Sequence, residues 1–427
     1  FKYMDLPNLL VENLATIGIH EPTPIQKRAI PYALSGNDVL GLAQTGTGKT
    51  AAFAIPIAAH LLNKYEKTEA KCARGLILAP TRELAKQISE NIRSFVQSSQ
   101  LKIGIVVGGV SINTQIKRLS KGTDILIATP GRLIDLLDRD AINLNRTSFL
   151  VLDEADQMLD LGFVHSLRKI STFLPEKRQT MLFSATMPKK IHELAKSFLF
   201  QPKHVEVAPS GKVADKIIQC VNFVVKEEKN KLLINLLSKH NDELALVFAR
   251  TKYGAERLMK TLLQARFSVS SIHGNKSQGQ REGALKAFRK GDLKILVATD
   301  VAARGLDIPT VKHVYNFDLP NVPENYVHRI GRTARAGSDG CAVAFCTPDE
   351  MNELKSIEKF IGSKIPVSSG KPWDASINHA GKTRKAKKHR RKPFNRGKKS
   401  LQNAKKTSSV RNEVNGLKRS KATNSAA

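Results

Sequence analysis

The stretch LGLAQTGTGKTAAF, residues 40–53, decides the fold of this chain. An apolar run, a Gly-rich turn and the start of a helical run follow one another in it, which predicts a strand, a loop and a helix. This order is the context that a phosphate-binding loop requires. Ala43 stands where the strict pattern GxxxxGK[ST] has glycine, so a chance Gly-rich loop is the alternative when the stretch is taken alone.

The turn predicts a nucleotide site with magnesium. Gly46 and Gly48 let backbone N–H groups approach phosphates, Lys49 places a positive charge near the β and γ groups, and Thr50 offers a hydroxyl to Mg²⁺. The predicted nucleotide-binding loop consists of Ala43, Gln44, Thr45, Gly46, Thr47, Gly48, Lys49 and Thr50.

The second chemical signal is VLDEAD, residues 151–156, in which two carboxylates follow an apolar run. Asp153 is predicted to orient Mg²⁺ through its water shell, which that ion gives up reluctantly. Glu154 is predicted to polarise an attacking water. The alternative is an acidic first turn of a helix, because Asp and Glu are favoured there.

Outward from these two stretches, short β-rich runs alternate with helical patterns, which predicts a parallel sheet with helices on both faces. The runs are 38–43, 75–80, 103–109, 124–130, 149–156 and 180–186. After a polar stretch, a second series begins, with runs at 220–225, 244–251, 268–274, 294–300, 313–320 and 342–348. Polar residues follow where the runs stop, at the carboxyl edge where open α/β sheets bind ligands.

The chain is therefore predicted to contain two α/β domains and a tail. The predicted boundaries are 1–207 for the first domain, 208–217 for a linker, 218–366 for the second domain and 367–427 for a basic disordered tail. Residues 382–427 hold 17 Lys and Arg against the single acidic residue Glu413. Such a composition cannot bury enough surface to order itself, and it predicts an electrostatic arm.

The net charge is +31, from 69 Lys and Arg against 38 Asp and Glu. This excess favours a polyanionic partner such as nucleic acid over an acidic membrane surface. The longest apolar stretch, residues 51–62, contains Pro56 and His60 and is too short to span a bilayer. Four cysteines without CxxC spacing favour buried thiols and a reduced, cytoplasmic compartment. Because the chain starts at Phe1, a preceding segment remains open.

Eleven strings in a fixed order resemble the DEAD-box RNA helicase family, and the resemblance extends from residue 1 to about residue 360. They are PTPIQ (22–26), AQTGTGKT (43–50), PTRELA (80–85), GG (108–109), TPGRL (129–133), DEAD (153–156), SAT (184–186), VFART (247–251), QGQR (278–281), ATDVAARGLDI (298–308) and HRIGRTARAG (328–337). The resemblance implies two RecA-like domains that close on ATP and RNA together.

The resemblance also implies roles for single residues around ATP. Gln26 resembles the glutamine that reads adenine, with Phe1 packed behind its loop. Ile19 stands where the family often has an aromatic residue, so stacking on the base is lost there. Asp307 resembles a ribose contact, and Arg332 and Arg335 resemble arginine fingers that reach the γ-phosphate on closure.

A further set resembles the RNA contacts of the family and the link between hydrolysis and RNA. Ser184 and Thr186 resemble that link. The RNA set is Pro80, Thr81, Arg82, Glu83, Gly108, Gly109, Thr129, Gly131, Arg132, Arg250, Gln278, Arg281, Thr299 and Asp300. Contacts to sugar and phosphate carry no sequence information, so little base preference is expected. Contacts to the 2′-hydroxyl, which separate RNA from DNA, are implied by the family alone.

The expected function is an ATP-dependent RNA helicase, a monomer, that unwinds short duplexes or remodels ribosomal or messenger RNP. SIHGNKSQGQR and NYVHRIGRTARAG, with the basic tail as an RNA tether, resemble the bacterial RhlE-type subgroup. Three alternatives stay open: an ATP-gated RNA clamp or assembly factor that scarcely unwinds, a DNA-directed helicase, and an RNA-binding protein without enzymatic activity.

Overall fold

The computed structural model describes residues 1, 3–44, 46–207, 217–303, 311–333 and 340–373. The predicted site residues Thr45, Asp307 and Arg335 lie outside the described residues. Most of the predicted linker and residues 374–427 of the predicted tail lie outside them as well.

The first domain is built on a parallel sheet of seven strands in the order β3-β4-β2-β5-β6-β1-β7. The strands are β1 Val39–Leu42, β2 Ala73–Leu78, β3 Ile103–Val106, β4 Thr123–Ala128, β5 Phe149–Leu152, β6 Gln179–Ser184 and β7 Lys203–Glu206. The helices are α1 Asn8–Thr16, α2 Pro24–Leu34, α3 Lys49–Asn63, α4 Arg82–Phe95, α5 Ile112–Leu119, α6 Pro130–Leu137, α7 Ala155–Asp160, α8 Val164–Ser171 and α9 Lys189–Phe198.

The second domain repeats this topology in a seven-stranded sheet, in the order β10-β11-β9-β12-β13-β8-β14. Its strands are β8 Ile217–Phe223, β9 Ala245–Phe248, β10 Val269–Ile272, β11 Ile295–Ala298, β12 His313–Asn316, β13 Gly340–Cys346 and β14 Val367–Ser369. Its helices are α10 Lys229–Leu237, α11 Lys252–Gln264, α12 Gln278–Lys290, α13 Asp300–Ala303, α14 Pro323–Ile330 and α15 Met351–Ile361, with 3₁₀ turns at Ser238–His240 and Pro348–Glu350. The prediction of two parallel-sheet domains is confirmed.

The central strands lie in the core because helices cover both faces of each sheet, which requires continuous apolar runs rather than alternating ones. Every residue of β4 and β6 is buried. Helix α4 shows the complementary pattern: its apolar residues recur on one face and are buried, and its polar residues occupy the other. The sheets thereby form rigid platforms, and each exposes its loops at the carboxyl ends of its strands.

The two edge strands β7 and β14 were missed by the sequence reasoning. Strand β7 lies in the sequence KHVE, of which only Val205 is buried, and all three residues of β14 are exposed. Neither strand therefore has the apolar run by which the other strands were recognised. Strand β14 pairs with β8, and the Trp373 indole donates a hydrogen bond to the Cys346 carbonyl at 3.2 Å. Strand β14 and Trp373 lie past position 366, where the second domain was predicted to end.

Among the described residues, no helix combines the length and the apolar character that crossing a bilayer requires. All four cysteines are unpaired.

Candidate nucleotide site and RNA groove

The Gly-rich turn adopts the geometry that its sequence predicts, with β1 before it and helix α3 starting at Lys49. Gly46 and Gly48 have φ of +84° and +91°, which side chains disfavour. A Cβ at Gly48 would also collide with the Gln26 side chain. Glycine is therefore required at this position for two independent reasons, backbone conformation and space.

Three buried charged side chains converge beside the turn: Lys49, Asp153 and Glu154 are 6%, 2% and 4% exposed. The Lys49 ammonium and one Glu154 carboxylate oxygen have no hydrogen-bond partner among the described residues. A buried charge without a partner is costly, so such groups indicate a ligand that supplies one. A triphosphate with Mg²⁺ fits this donor set, because Lys49 matches the anion and Asp153 matches the cation.

Glu154 is set apart by its backbone and its pKa. Its φ is +52°, in the left-handed region that non-glycine residues rarely adopt, and such strain clusters at functional sites. Burial raises its pKa to about 7, with Asp153 and Asp156 adding to the rise while Lys49 and Arg332 oppose it. Burial likewise raises the pKa of Asp153, opposed mainly by Lys49. A carboxylate with a pKa near neutrality is suited to accept a proton from water.

These groups line a cavity of about 490 Å³ that also receives Arg332 from the second domain. The predicted residues that line it are Gln26, Gly46, Gly48, Lys49, Thr50, Asp153, Glu154 and Arg332. The predicted residues Ala43, Gln44 and Thr47 lie in the loop but do not line the cavity, and neither does Phe1, which packs against the core of the first domain. Ile17 and Ile19 line one side, with Asn91 and Ser94 of α4.

The Gln26 side chain is hydrogen-bonded to the start of α2 and to the phosphate-binding loop. Its side-chain oxygen accepts a hydrogen bond from the Thr23 N–H at 3.0 Å, and its amide donates to the Gly48 carbonyl at 3.0 Å. The amide nitrogen keeps a second hydrogen. Gln26 therefore fixes the phosphate loop to the start of α2 and has one donor left for a base edge.

The predicted coupling residues Ser184 and Thr186 are connected to the acidic string through Asp156, which the sequence reasoning left out of the site. One Asp156 oxygen accepts hydrogen bonds from the N–H groups of Ala185 and Thr186 at 3.1 Å each, and from the Thr186 hydroxyl at 3.2 Å. Ser184 donates to the Thr186 carbonyl at 2.7 Å. Movement of either segment therefore moves the other.

A second cavity, of about 400 Å³, lies where loops of the two sheets face each other. Ten of the predicted RNA contacts line it: Pro80, Thr81, Arg82, Glu83, Gly108, Thr129, Gly131 and Arg132 from the first domain, and Gln278 and Arg281 from the second. The Arg82 guanidinium lies against Gly108 and Gly109, where a Cβ at Gly109 would collide with it. We call this cavity the RNA groove.

An ion pair crosses the RNA groove between the domains. Arg281 on α12 binds Glu83 on α4 at 2.9 Å, with side chains 15% and 8% exposed, and Lys86 lies 3.4 Å from Glu282 nearby. Glu83 and Arg281 were both predicted to contact RNA. In the structure they bind each other, which explains a carboxylate in a basic groove.

Arg250, Thr299, Asp300 and Gly109 were predicted with this set but do not line the groove. The Arg250 guanidinium binds the buried carboxylate of Glu350 at 2.8 Å. Both oxygens of Asp300 bind the Arg329 guanidinium, at 2.6 and 2.7 Å. Arg250 and Asp300 thus already use their charges inside the second domain.

Models of known families match both domains. DEAD/DEAH box helicase matches residues 23–194, and Helicase conserved C-terminal domain matches residues 228–337. The DEAD-box ATP-dependent RNA helicase CshA of Bacillus cereus is 44% identical over 377 residues, which cover 88% of this chain and 71% of CshA. The chain belongs to the DEAD-box ATP-dependent RNA helicases.

Two solved structures are similar to this one over most of the chain. S. cerevisiae Dbp5 bound to RNA and ADP BeF3 matches with a TM-score of 0.77 and 30% identity, covering 86% of this chain and 95% of that one. Mss116p bound to ssRNA and AMP-PNP also matches with a TM-score of 0.77 and 30% identity, and the match covers 86% of this chain and 78% of that one.

This DEAD-box helicase also places residues in the groove that the family strings do not contain: Leu161, Phe163, Gly274 and Lys276. Lys276 is the charged one. Glu256 holds its ammonium at 3.0 Å and also accepts hydrogen bonds from Ser271 and His273, which lowers the pKa of Glu256 to about 2. The available sequence signal for Lys276 was a basic residue three positions after His273, at the end of a strand where ligands bind.

Proposed function

We propose that this DEAD-box helicase couples ATP hydrolysis to the local unwinding of short RNA duplexes. The observation that carries the proposal is that each cavity is built from both domains: Arg332 completes the nucleotide cavity, and Gln278 and Arg281 complete the RNA groove. Each ligand therefore favours the closed arrangement. A strand held across both domains leaves the path of an A-form duplex, so the partner strand is released, and hydrolysis resets the clamp.

The residues of the nucleotide cavity divide the chemistry between them. Lys49 neutralises the β- and γ-phosphates, and Thr50 and Asp153 would hold Mg²⁺, which when bound would neutralise further phosphate charge. Glu154 accepts the proton of the attacking water. Arg332 stabilises charge on the transferred group from the second domain. By the family pattern, Arg335 joins it and Asp307 contacts the ribose.

The RNA groove suits a sugar-phosphate backbone because most of its residues are small, hydroxylated or basic. Arg82, Arg132 and Lys276 supply positive charge, and Thr81 and Thr129 supply hydroxyls. Phosphate contacts fix register without reading bases, so the groove accepts many sequences.

The test is strand displacement on a short RNA duplex with a single-stranded extension. Unwinding should require ATP and should be absent in Glu154→Gln, which should still bind ATP. RNA-stimulated hydrolysis without strand displacement would assign the chain to the alternative function, an ATP-gated RNA clamp or assembly factor. Equal stimulation by single-stranded DNA would assign it to a DNA-directed helicase.

We further propose that the chain acts as a cytoplasmic monomer on ribosomal or messenger RNP, including ribosome assembly. A single chain completes both cavities, which supports a monomer. Residues 271–281 and 325–337 support the RhlE-type subgroup, although the named relatives above are CshA proteins. The 17 basic residues of 382–427 support a sequence-tolerant RNA tether, because phosphate binding depends on positive charge.

A further inference from the structure

We propose that the second domain carries a binding site for a zinc-type transition metal ion, formed by His240, Glu243 and His313. One ligand atom of each side chain lies within 4.8 Å of the others. The three residues meet at the amino ends of β9 and β12, at the sheet edge opposite the nucleotide cavity and the RNA groove. Within the ranges that the structure describes, no other trio of His, Cys, Asp or Glu reaches this spacing.

The backbone places the three ligands without involving the catalytic loops. His240 ends the 3₁₀ turn Ser238–His240, and the Glu243 N–H donates to the His240 carbonyl at 3.1 Å, so one tight turn presents both side chains. His313 is the first residue of β12, and its N–H bonds the carbonyl of Leu244 just before β9. The site therefore joins a local pair to a residue 70 positions away.

One of the ligand-atom distances already matches that of an occupied site. Zinc binds His nitrogen at about 2.0–2.1 Å and carboxylate oxygen at about 2.0–2.2 Å, which puts neighbouring ligand atoms roughly 3.3–3.5 Å apart. His240 Nδ1 lies 3.5 Å from Glu243 Oε2. His313 Nε2 is hydrogen-bonded to the same oxygen, and this pair must separate slightly to admit an ion.

The His240 ring supplies the adjustment. It stacks on His313 with centroids 4.2 Å apart and planes at 28°, so it must rotate out of the stack for both rings to bind one ion. Since the His240 side chain is 41% exposed and that of Glu243 is 43% exposed, both can reorient without repacking the core. His313, at 7%, is the fixed ligand.

The types of ligand atom favour a borderline metal ion over Mg²⁺. Two imidazole rings and one carboxylate are available, and an ion would replace the hydrogen bond that now joins His313 Nε2 to the Glu243 carboxylate. The Lys312 ammonium acts on both groups and opposes any cation. Imidazole nitrogen selects zinc-type ions, whereas Mg²⁺ prefers oxygen ligands.

The experiment is a calorimetric titration of the metal-free full chain with ZnCl₂, beside thermal unfolding. The variants are His240→Ala and Glu243→Gln, and the control is His204→Ala, an exposed histidine on β7 of the first domain. The wild type and control should bind one ion that excess Mg²⁺ does not displace. Both site variants should bind it at least about 10-fold more weakly. At a zinc concentration 100-fold above Kd, the unfolding midpoint should rise by about 5 °C in the wild type and the control but not in the site variants.

Equal zinc affinity in the wild type and both site variants would mean an adventitious ion only, and would overturn the proposal. So would the absence of a zinc-dependent shift of the unfolding midpoint. The site is remote from the nucleotide cavity, so basal ATPase activity with Mg²⁺ and without zinc should be the same in His240→Ala and the wild type. The zinc titration can therefore be interpreted even if the helicase assay shows no unwinding.

Discussion

Glu154→Gln should stabilise the ligand-free first domain while it abolishes ATP turnover. The Glu154 carboxyl is 4% exposed, and burial raises its pKa from 4.5 to about 7. Because the folded state binds the proton more tightly than the unfolded state, Glu154 contributes stability below about pH 4.5 that is lost as the pH rises through 7. Glutamine has the same shape without the charge.

The size of the effect follows from the two pKa values. One pKa unit is worth about 1.4 kcal/mol, so the variant should gain about 1 kcal/mol over the wild type at pH 5 and about 3 kcal/mol at pH 8. For a domain of this size, the gain at pH 8 is a rise of roughly 5 to 10 °C in the unfolding midpoint. The exposed Glu193 on α9 provides the matched control, Glu193→Gln, which should change little at either pH.

The assay is thermal unfolding without nucleotide at pH 5 and pH 8, beside steady-state ATPase activity. A gain that is the same at both pH values, or a loss of stability at pH 8, would refute a buried carboxylate with a raised pKa. The same pKa requires kcat/KM for ATP to decrease in the wild type as the pH is lowered below about 7. This parameter reports the ionisation of groups in the free enzyme. A flat profile between pH 6 and 8 would contradict the role of Glu154 as the base.

Four further outcomes test the remaining contacts. Asp156→Asn should keep ATP binding but lower RNA-stimulated hydrolysis at least about 10-fold, because both Asp156 oxygens accept hydrogen bonds, one from the Gln157 N–H and the other from Ala185 and Thr186, whereas asparagine has a single acceptor oxygen; unchanged stimulation would exclude the link. Lys276→Ala should raise the KM for RNA about 3- to 10-fold at unchanged basal ATPase activity, with a salt slope lower by about 0.7, measured by RNA titration at several salt concentrations. Glu83→Arg should weaken RNA-dependent ATPase activity, and the double variant with Arg281→Glu should recover part of it if the pair holds the domains together. Truncation after Gly381 should weaken RNA binding and flatten its salt dependence, and an unchanged affinity and slope would remove the tether.

Much of the nucleotide site could be read from the sequence because its chemistry is local. The turn from Gly46 to Thr50 needs glycines and a lysine in consecutive positions, and Asp153 and Glu154 directly follow an apolar strand. Their burial and missing partners, however, appear only once β1 and β5 lie in one sheet. The RNA groove was less predictable, because its shape depends on which loops face each other.

The contacts of single residues were less predictable. Arg250 and Asp300 bear the charge and position expected of RNA contacts, and in the structure they pair with Glu350 and Arg329 of the same domain. Conversely, Lys276 and Phe163 enter the groove although no family string contains them. The edge strands β7 and β14 were invisible because edge strands need no apolar run.

The sequence by itself determined the fold class, the two-domain order, the phosphate loop and the acidic pair, since each depends on residues adjacent in the chain. Only the tertiary structure decided which charges are free for a ligand and which are satisfied internally. That distinction depends on contacts such as Glu83 with Arg281, between residues nearly 200 positions apart on different domains. The trio of His240, Glu243 and His313 is of the same kind: three ordinary residues in the sequence become a ligand set only when β9 and β12 lie side by side.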